Sequence, residues 1–283
     1  MEKEVGNNII VQTIFENENS RECTLLIEFY NKGYTFSIFK NNTNTVLFTG
    51  VSDTFLDFFN ANENQLVSIF EKEKVFNYSY SKVVVLIDTF YNTLVPTVFF
   101  DQSKKKEFLS FNTKLPSENL VFLDDLIQNV SYHNIYVSTI SFSKVLKNTF
   151  VNSDIVCTSS LLINNAKKVT NSGAFFQVHL GLDTLECIYF NNGLLEFNNS
   201  FNYNNAEDVI YNVLNVFKQL NLNTEETVLF LSGNISNDDE KFELLYMYIK
   251  NIEFMKRPIK LNYVDKVKQI PEHYFVQHYI ALL

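Results

Sequence analysis

Ala174-Phe-Phe-Gln-Val-His-Leu180, Gly181-Leu-Asp183, Thr184-Leu-Glu-Cys-Ile-Tyr-Phe190, Asn191-Asn-Gly193 and Leu194-Leu-Glu-Phe197 follow one another without interruption. The apolar, β-branched and aromatic runs predict three strands, and the short polar links predict two turns. Asn192-Gly193 is the sharper signal, because a tight hairpin turn needs two residues that tolerate positive φ. A helix is expected from near Asn205, with Glu207 and Asp208 in its first turn and Ile210, Val213, Leu214, Phe217 and Leu220 on one face. The run Thr227-Val-Leu-Phe-Leu231 then predicts a fourth strand.

The same order occurs earlier in the chain. Thr24–Phe29, Tyr34–Phe39 and Thr45–Thr49 read as three strands, and a helix follows with Asp53 as N-cap and Phe55, Phe59, Leu66 and Phe70 at helical spacing. Lys82–Asp88 is a nearly continuous apolar strand of the kind buried on both faces. The interval from Ile27 to Val84 is 57 residues, and that from Val178 to Leu229 is 51. The chain therefore reads as an α/β protein built from duplicated βββαβ units, a repeat of pattern more than of residue identity. Between the copies, Asn134–Val137 and Asp154–Val156 predict strands, and Ser143–Phe150 and Thr158–Lys168 predict helices. Thr170–Gly173 marks the boundary, which gives a first lobe over 1–172 and a second over 173–283. After the second copy, Asp238–Asn251 is expected to be helical and Ile259–Val264 a strand. The aromatic tail after Pro271 is expected to pack back on the body.

Composition narrows the function classes. Of 283 residues, 46% are hydrophobic and 19% charged, too apolar for a disordered chain. Asparagine numbers 37, lysine outnumbers arginine 21 to 2, and glycine is held to 7, a skew that an AT-rich genome imposes. The net charge of −9 argues against nucleic acid as partner. Lys104-Lys105-Lys106 is followed by Glu107 and reads as a solvated helix face. No apolar stretch reaches the length of a membrane span, and Met1-Glu-Lys-Glu-Val5 lacks the character of a signal peptide, so a cytoplasmic location is expected. Cys23, Cys157 and Cys187 are widely spaced and suit neither a disulfide framework nor a zinc site. The P-loop, dinucleotide and nucleophile-elbow patterns are absent. His133 stands isolated, and His273 and His278 are splayed by their five-residue spacing. Asp124-Asp125 reads as a turn or N-cap, and no metal site is expected.

Two tandem βββαβ units are the skeleton of the actin-like ATPase, or ribonuclease H-like, two-lobed fold. On Leu94–Phe100, Lys106–Asn112 and the Tyr279–Leu283 terminus, the chain resembles a bacterial family of unknown function with that fold, related in architecture to sugar kinases, chaperone ATPase domains and pilus and division ATPases. The resemblance implies two phosphate loops, each at the hairpin of the first two strands, where glycine admits a phosphate and a carboxylate positions Mg²⁺. In the first loop Glu28 supplies a carboxylate, but Tyr30 stands where glycine is expected. In the second, Gly181 is retained, His179 replaces the acid, and Asp183 lies nearby. The adenosine loop keeps one glycine, Gly233, and Asp88 is the candidate catalytic carboxylate. Each of these residues also has a structural role open to it: a turn glycine for Gly181 and Gly233, a turn acceptor for Asp183, a strand-end cap for Asp88 and a hydrogen-bonded core histidine for His179.

Two functions follow as expectations. The first is a non-catalytic, pseudo-ATPase scaffold without a cofactor that binds an unidentified protein, its aromatic residues serving as anchors. The alternative is an ATP-binding protein, ATPase or small-molecule kinase, in which Glu28, Asp88 and Asp183 serve Mg²⁺ and Gly181 and Gly233 approach ATP.

Overall fold

A computed structural model describes residues 13–16, 18–52, 57, 60–116, 119–170 and 173–283. The first half runs β1 (Cys23–Tyr30), β2 (Gly33–Lys40), β3 (Thr45–Val51), α1 (Glu63–Lys72), β4 (Lys82–Ile87), β5 (Asn92–Pro96), α2 (Lys105–Asn112), β6 (Leu120–Ile127), β7 (Tyr132–Thr139), α3 (Ile140–Thr149), β8 (Asp154–Cys157) and α4 (Thr158–Val169). The second runs β9 (Ala174–Leu180), β10 (Thr184–Asn191), β11 (Leu194–Asn202), α5 (Ala206–Gln219), β12 (Val228–Gly233), α6 (Glu240–Tyr248), β13 (Asn251–Phe254), β14 (Asn262–Tyr263), α7 (Asp265–Lys268) and α8 (Val276–Ala281).

Two sheets repeat one topology. The first has the order β14-β3-β2-β1-β4-β8, and the second β11-β10-β9-β12-β13. In each, an antiparallel three-stranded meander is extended by two parallel strands: β1 pairs with β4 and β4 with β8, as β9 pairs with β12 and β12 with β13. The first strand of each meander is thereby central and takes neighbours on both edges. All eight residues of β1 are buried, apolar but for Thr24 and Glu28, as suits a strand covered on both faces. The duplicated pattern legible in the sequence is thus the pattern of the fold.

Each sheet closes on its own core. In the first lobe Phe29 stacks on Phe70 at 5.7 Å and meets Phe142 edge-on at 5.0 Å. In the second, Phe176 of β9 packs against Phe217 of α5 at 5.2 Å. Asn192 and Gly193 both adopt positive φ, as the hairpin signal requires. β11 extends to Asn202, beyond the expected Phe197, because Asn198 and Ser200 turn inward and donate to Glu186 of β10.

Several expectations are corrected. The helix of the first unit begins at Glu63, where Asn62 and Gln65 form a reciprocal capping box. Asp53, Phe55 and Phe59 lie outside the described residues, as do Asn171 and Ser172 of the expected boundary. The helix after the second unit ends at Tyr248, and β13 follows. The strand expected over Ile259–Val264 shrinks to Asn262–Tyr263, paired with β3, while Ile259 is exposed. Asp124 and Asp125 lie within β6, in a separate antiparallel sheet of order β5-β7-β6. On opposite faces, Asp124 binds Lys105 at 2.6 Å, and Asp125 accepts from the Cys157 amide at 2.7 Å. His133 is not isolated: it bonds Asp124 at 3.0 Å and stacks on Phe100 at 3.6 Å.

Candidate functional site

The two strand hairpins that the sequence marked as phosphate loops face each other between the lobes, together with the ends of β4 and β12. Glu28 projects from β1 into this junction and is fully buried. Its Oε1 accepts from the Thr158 hydroxyl at 2.8 Å. Its Oε2 accepts from the Tyr30 hydroxyl, from Gln277 Nε2 at 2.7 Å and from His278 Nε2 at 3.2 Å. His278 is held in turn by Thr35 at 2.9 Å and Ser37 at 2.8 Å. Burial alone raises the Glu28 carboxyl, but the hydrogen bond and charge of His278 prevail and bring it down to about 2.

A matching carboxylate occupies the second lobe. Glu186 accepts from Ser159 Oγ at 2.6 Å and from the Asn198 and Ser200 side chains. Thr158 and Ser159 are the first two residues of α4, so the start of one helix donates to a buried acid from each sheet. The helix dipole favours negative charge at that end. Nothing in either acid alone announces this pairing. Its signal is Thr158-Ser159-Ser160, a hydroxyl run opening a helix directly after a strand.

Asp88, just beyond β4, accepts from the Thr184 hydroxyl of β10 and so ties the lobes together. Burial, followed by the charge of Glu28, pushes its carboxyl well above the ordinary range. Asp183 is buried in the turn before β10 and is likewise raised by burial, while the Asn31 side chain hydrogen-bonds to it. Gly181 packs so closely that an added Cβ would overlap Asp88 Oδ2 and Thr184 Oγ1 and lie 2.9 Å from the Tyr30 ring. Glu28, Asp88, Gly181 and Asp183 therefore converge at one junction. Gly233, at the end of β12, pairs with Leu180, the residue before Gly181, and packs against His179. Burial lowers His179 to about 4, and its Nδ1 lies 2.9 Å from Ser232 Oγ.

Sequence reasoning missed the closure supplied by the C-terminal helix. Gln277 and His278 of α8 are both at most 1% exposed and enter the junction from outside the duplicated units. The available signal was an adjacent polar pair inside the apolar run Phe275–Ile280. These residues do not fit Mg²⁺ and a nucleoside triphosphate. The Tyr30 ring packs beside Gly181 of the second hairpin, where the resemblance implies an open phosphate loop, and both Glu28 oxygens are engaged by donors of the chain itself. Among the described residues, no group of three His, Cys, Asp or Glu side chains is disposed to hold a metal ion. The cavity left beside Tyr30, Gly181, Asn234 and Gln277 measures about 100 Å³, against about 300–1,000 Å³ for ordinary ligand sites.

The raised Asp88 gives a prediction with a definite sign. The native state holds this proton more tightly than the unfolded chain, so stability falls as pH rises from near 3.8 towards the native value. Asp88→Asn should stabilise the protein at neutral pH, with the gain vanishing below pH 3.8. Thermal unfolding of both proteins across pH 3–8 checks this; a loss of stability at neutral pH would refute the assignment.

Residues 12–252 match the model of a family described as protein of unknown function (DUF3822). The chain belongs to that family. Among solved structures, it is similar to a protein with actin-like ATPase fold and unknown function from Bacteroides thetaiotaomicron, at a TM-score of 0.73 and 21% identity, over 93% of this chain and 96% of that one. A structure of the PilM-PilN type IV pilus biogenesis complex matches at a TM-score of 0.58 and 10% identity, covering 93% and 98%. The ethanolamine utilization protein EutJ from Carboxydothermus hydrogenoformans matches at 0.50 and 7%, covering 100% and 97%. No curated protein sequence matches. This member of the DUF3822 family thus has an actin-like, two-lobed α/β fold. Among its described residues no helix is long and apolar enough to cross a membrane.

Proposed function

We propose that the protein is a non-catalytic actin-fold module that acts by holding another protein. The observation that carries this reading is the closed junction: Tyr30 is locked onto Glu28 where a phosphate loop would open, and Gln277 and His278 seal it from the C-terminal helix. A site built to accept and release a nucleotide would leave its carboxylates free for metal and water. Here the donors of the chain satisfy Glu28, and Asp88 is held by Thr184.

Two further observations support the protein-binding half of the proposal. Val98, Phe99 and Phe111 are 85%, 71% and 90% exposed beside the β5-β7-β6 sheet, and exposed apolar clusters of this kind mark interaction surfaces. The similar fold in the PilM-PilN structure is seen in a complex of proteins.

A phosphate-release assay with Mg-ATP tests the catalytic half. The wild-type protein is expected to match the no-enzyme background, and Asp88→Asn to match the wild type. Turnover that Asp88→Asn abolishes would overturn the proposal. For the binding half, a partner captured from native extract should be lost with Phe99→Ser/Phe111→Ser while the fold is retained. Equal capture by that variant would exclude this surface.

A further inference from the structure

A groove of about 520 Å³ runs beside β5 in the first lobe. Residues 93–96 of β5 all line it, although their side chains alternate between the two faces of the sheet, so the groove follows the edge of the strand. Among the described residues β5 pairs only with β7 and is the outer strand of its sheet. The facing wall is one side of α2, with Phe108 and Phe111, joined by Phe99 from the turn after β5. Asn112 Nδ2 donates to Thr93 Oγ1 at 2.6 Å and fixes the helix beside the strand. Leu109, on the inner face of α2, is fully buried, whereas Phe99 and Phe111 are left exposed.

Two observations give the direction of the backbone groups at this edge. Thr97 N–H donates to the Ser131 carbonyl at 3.0 Å, on the β7 side. Alternate residues of an antiparallel pair turn to the partner strand, so Val95 and Thr93 share that direction while Leu94 and Pro96 turn outward. Pro96 agrees, because proline is tolerated in a sheet where its missing donor faces away from the ladder. Leu94 thus offers an N–H and a C=O along the groove, and Pro96 a C=O, which are the groups that an added strand pairs with. Every second side chain of such a strand would meet Phe108 and Phe111. Charge narrows the occupant further. Among the described residues 101–116, four lysines stand against Asp101 and Glu107, in a chain of net charge −9. Lys105 is held by Asp124 at 2.6 Å, but Lys104, Lys106 and Lys114 are exposed and favour a negative partner.

We infer that this groove takes an extended segment of a partner protein as an added strand on β5, apolar at alternate positions and acidic at its flank. The inference rests on the protein-binding role given above to Phe99 and Phe111, and adds the form and charge of what they hold.

The probe is a phage-displayed library of random peptides about twelve residues long, selected on the full chain, with the enriched peptides then titrated into ¹⁵N-labelled protein. In the free protein the Leu94 amide should exchange with deuterium faster than those of Thr93 and Val95, which bond to β7. Enriched peptides should be acidic, with apolar residues at alternate positions. They should slow exchange at Leu94 by about tenfold or more and leave Thr93 and Val95 unchanged. Phe99→Ser/Phe111→Ser should weaken them by about tenfold or more, the effect of removing anchor residues. Lys104→Glu/Lys106→Glu should weaken them by about fivefold. No enriched peptide, a basic consensus, or peptides that leave Leu94 exchange unchanged would each overturn the inference. So would protection of Leu94 that rises with protein concentration alone, since that gives the edge to a second copy of the chain. The two readings separate in one result: a peptide lost with Phe99→Ser/Phe111→Ser that leaves Leu94 unprotected keeps protein binding at this surface and removes strand addition.

Discussion

Gly233→Ala is expected to destabilise the protein by about 3–5 kcal/mol, measured by urea unfolding. Three contributions converge at this residue. Its φ of +87° lies in the region that L-residues avoid, worth about 1 kcal/mol. An added Cβ would overlap the Leu180 carbonyl, with the carbonyl carbon only 2.8 Å away, and overpacking against backbone costs about 1–3 kcal/mol. The Leu180 carbonyl also accepts from Asn234 N–H at 2.7 Å, and Gly233 N–H donates to the His273 carbonyl at 2.8 Å. Displacing either strand end weakens a bond worth about 1 kcal/mol. Gly173→Ala is the control: its φ is +78° but nothing lies within 4 Å of the added carbon, so only the backbone cost of about 1 kcal/mol is expected. Equal losses at the two sites would mean that β12 and β9 do not approach as described.

Glu28→Gln is expected to cost about 1–3 kcal/mol at neutral pH, the range for leaving buried donors without their charged acceptor. An amide presents only one acceptor oxygen to Tyr30, Thr158, Gln277 and His278, and its NH₂ group faces donors. The pH dependence separates this from a packing defect. Glu28 falls from 4.5 to about 2 in the native state, so its stabilisation is complete above pH 4.5 and is lost as pH falls through 2. The deficit of Glu28→Gln should therefore shrink in acid, where the wild type loses the same advantage. A deficit constant from pH 7 to pH 2 would contradict an ionised Glu28. Asp88 has the opposite linkage, so the Asp88→Asn and Glu28→Gln profiles should diverge with pH.

The repeated unit was legible because its strands carry their own periodicity and their turns their own chemistry. Ala174–Leu180 and the Asn192-Gly193 turn needed no tertiary information. β5 and β6 were missed for the opposite reason. β6 carries Asp124 and Asp125, which argue against a strand until Lys105, His133 and the Cys157 amide supply their partners. Tyr30 is visible in the sequence as a bulky residue where the resemblance implies a glycine. Its consequence was hidden, because its hydroxyl partner Glu28 and the closing residues Gln277 and His278 meet only in the folded chain. Pairing across 249 residues leaves no local pattern to read.

On the function proposed above, the interlobe junction is closed by the chain's own side chains and does not serve ATP. Isothermal titration calorimetry of the full chain with Mg-ATP at millimolar concentration tests it directly. No saturable heat is expected for the wild-type protein. A saturable isotherm for the wild-type protein would contradict that reading.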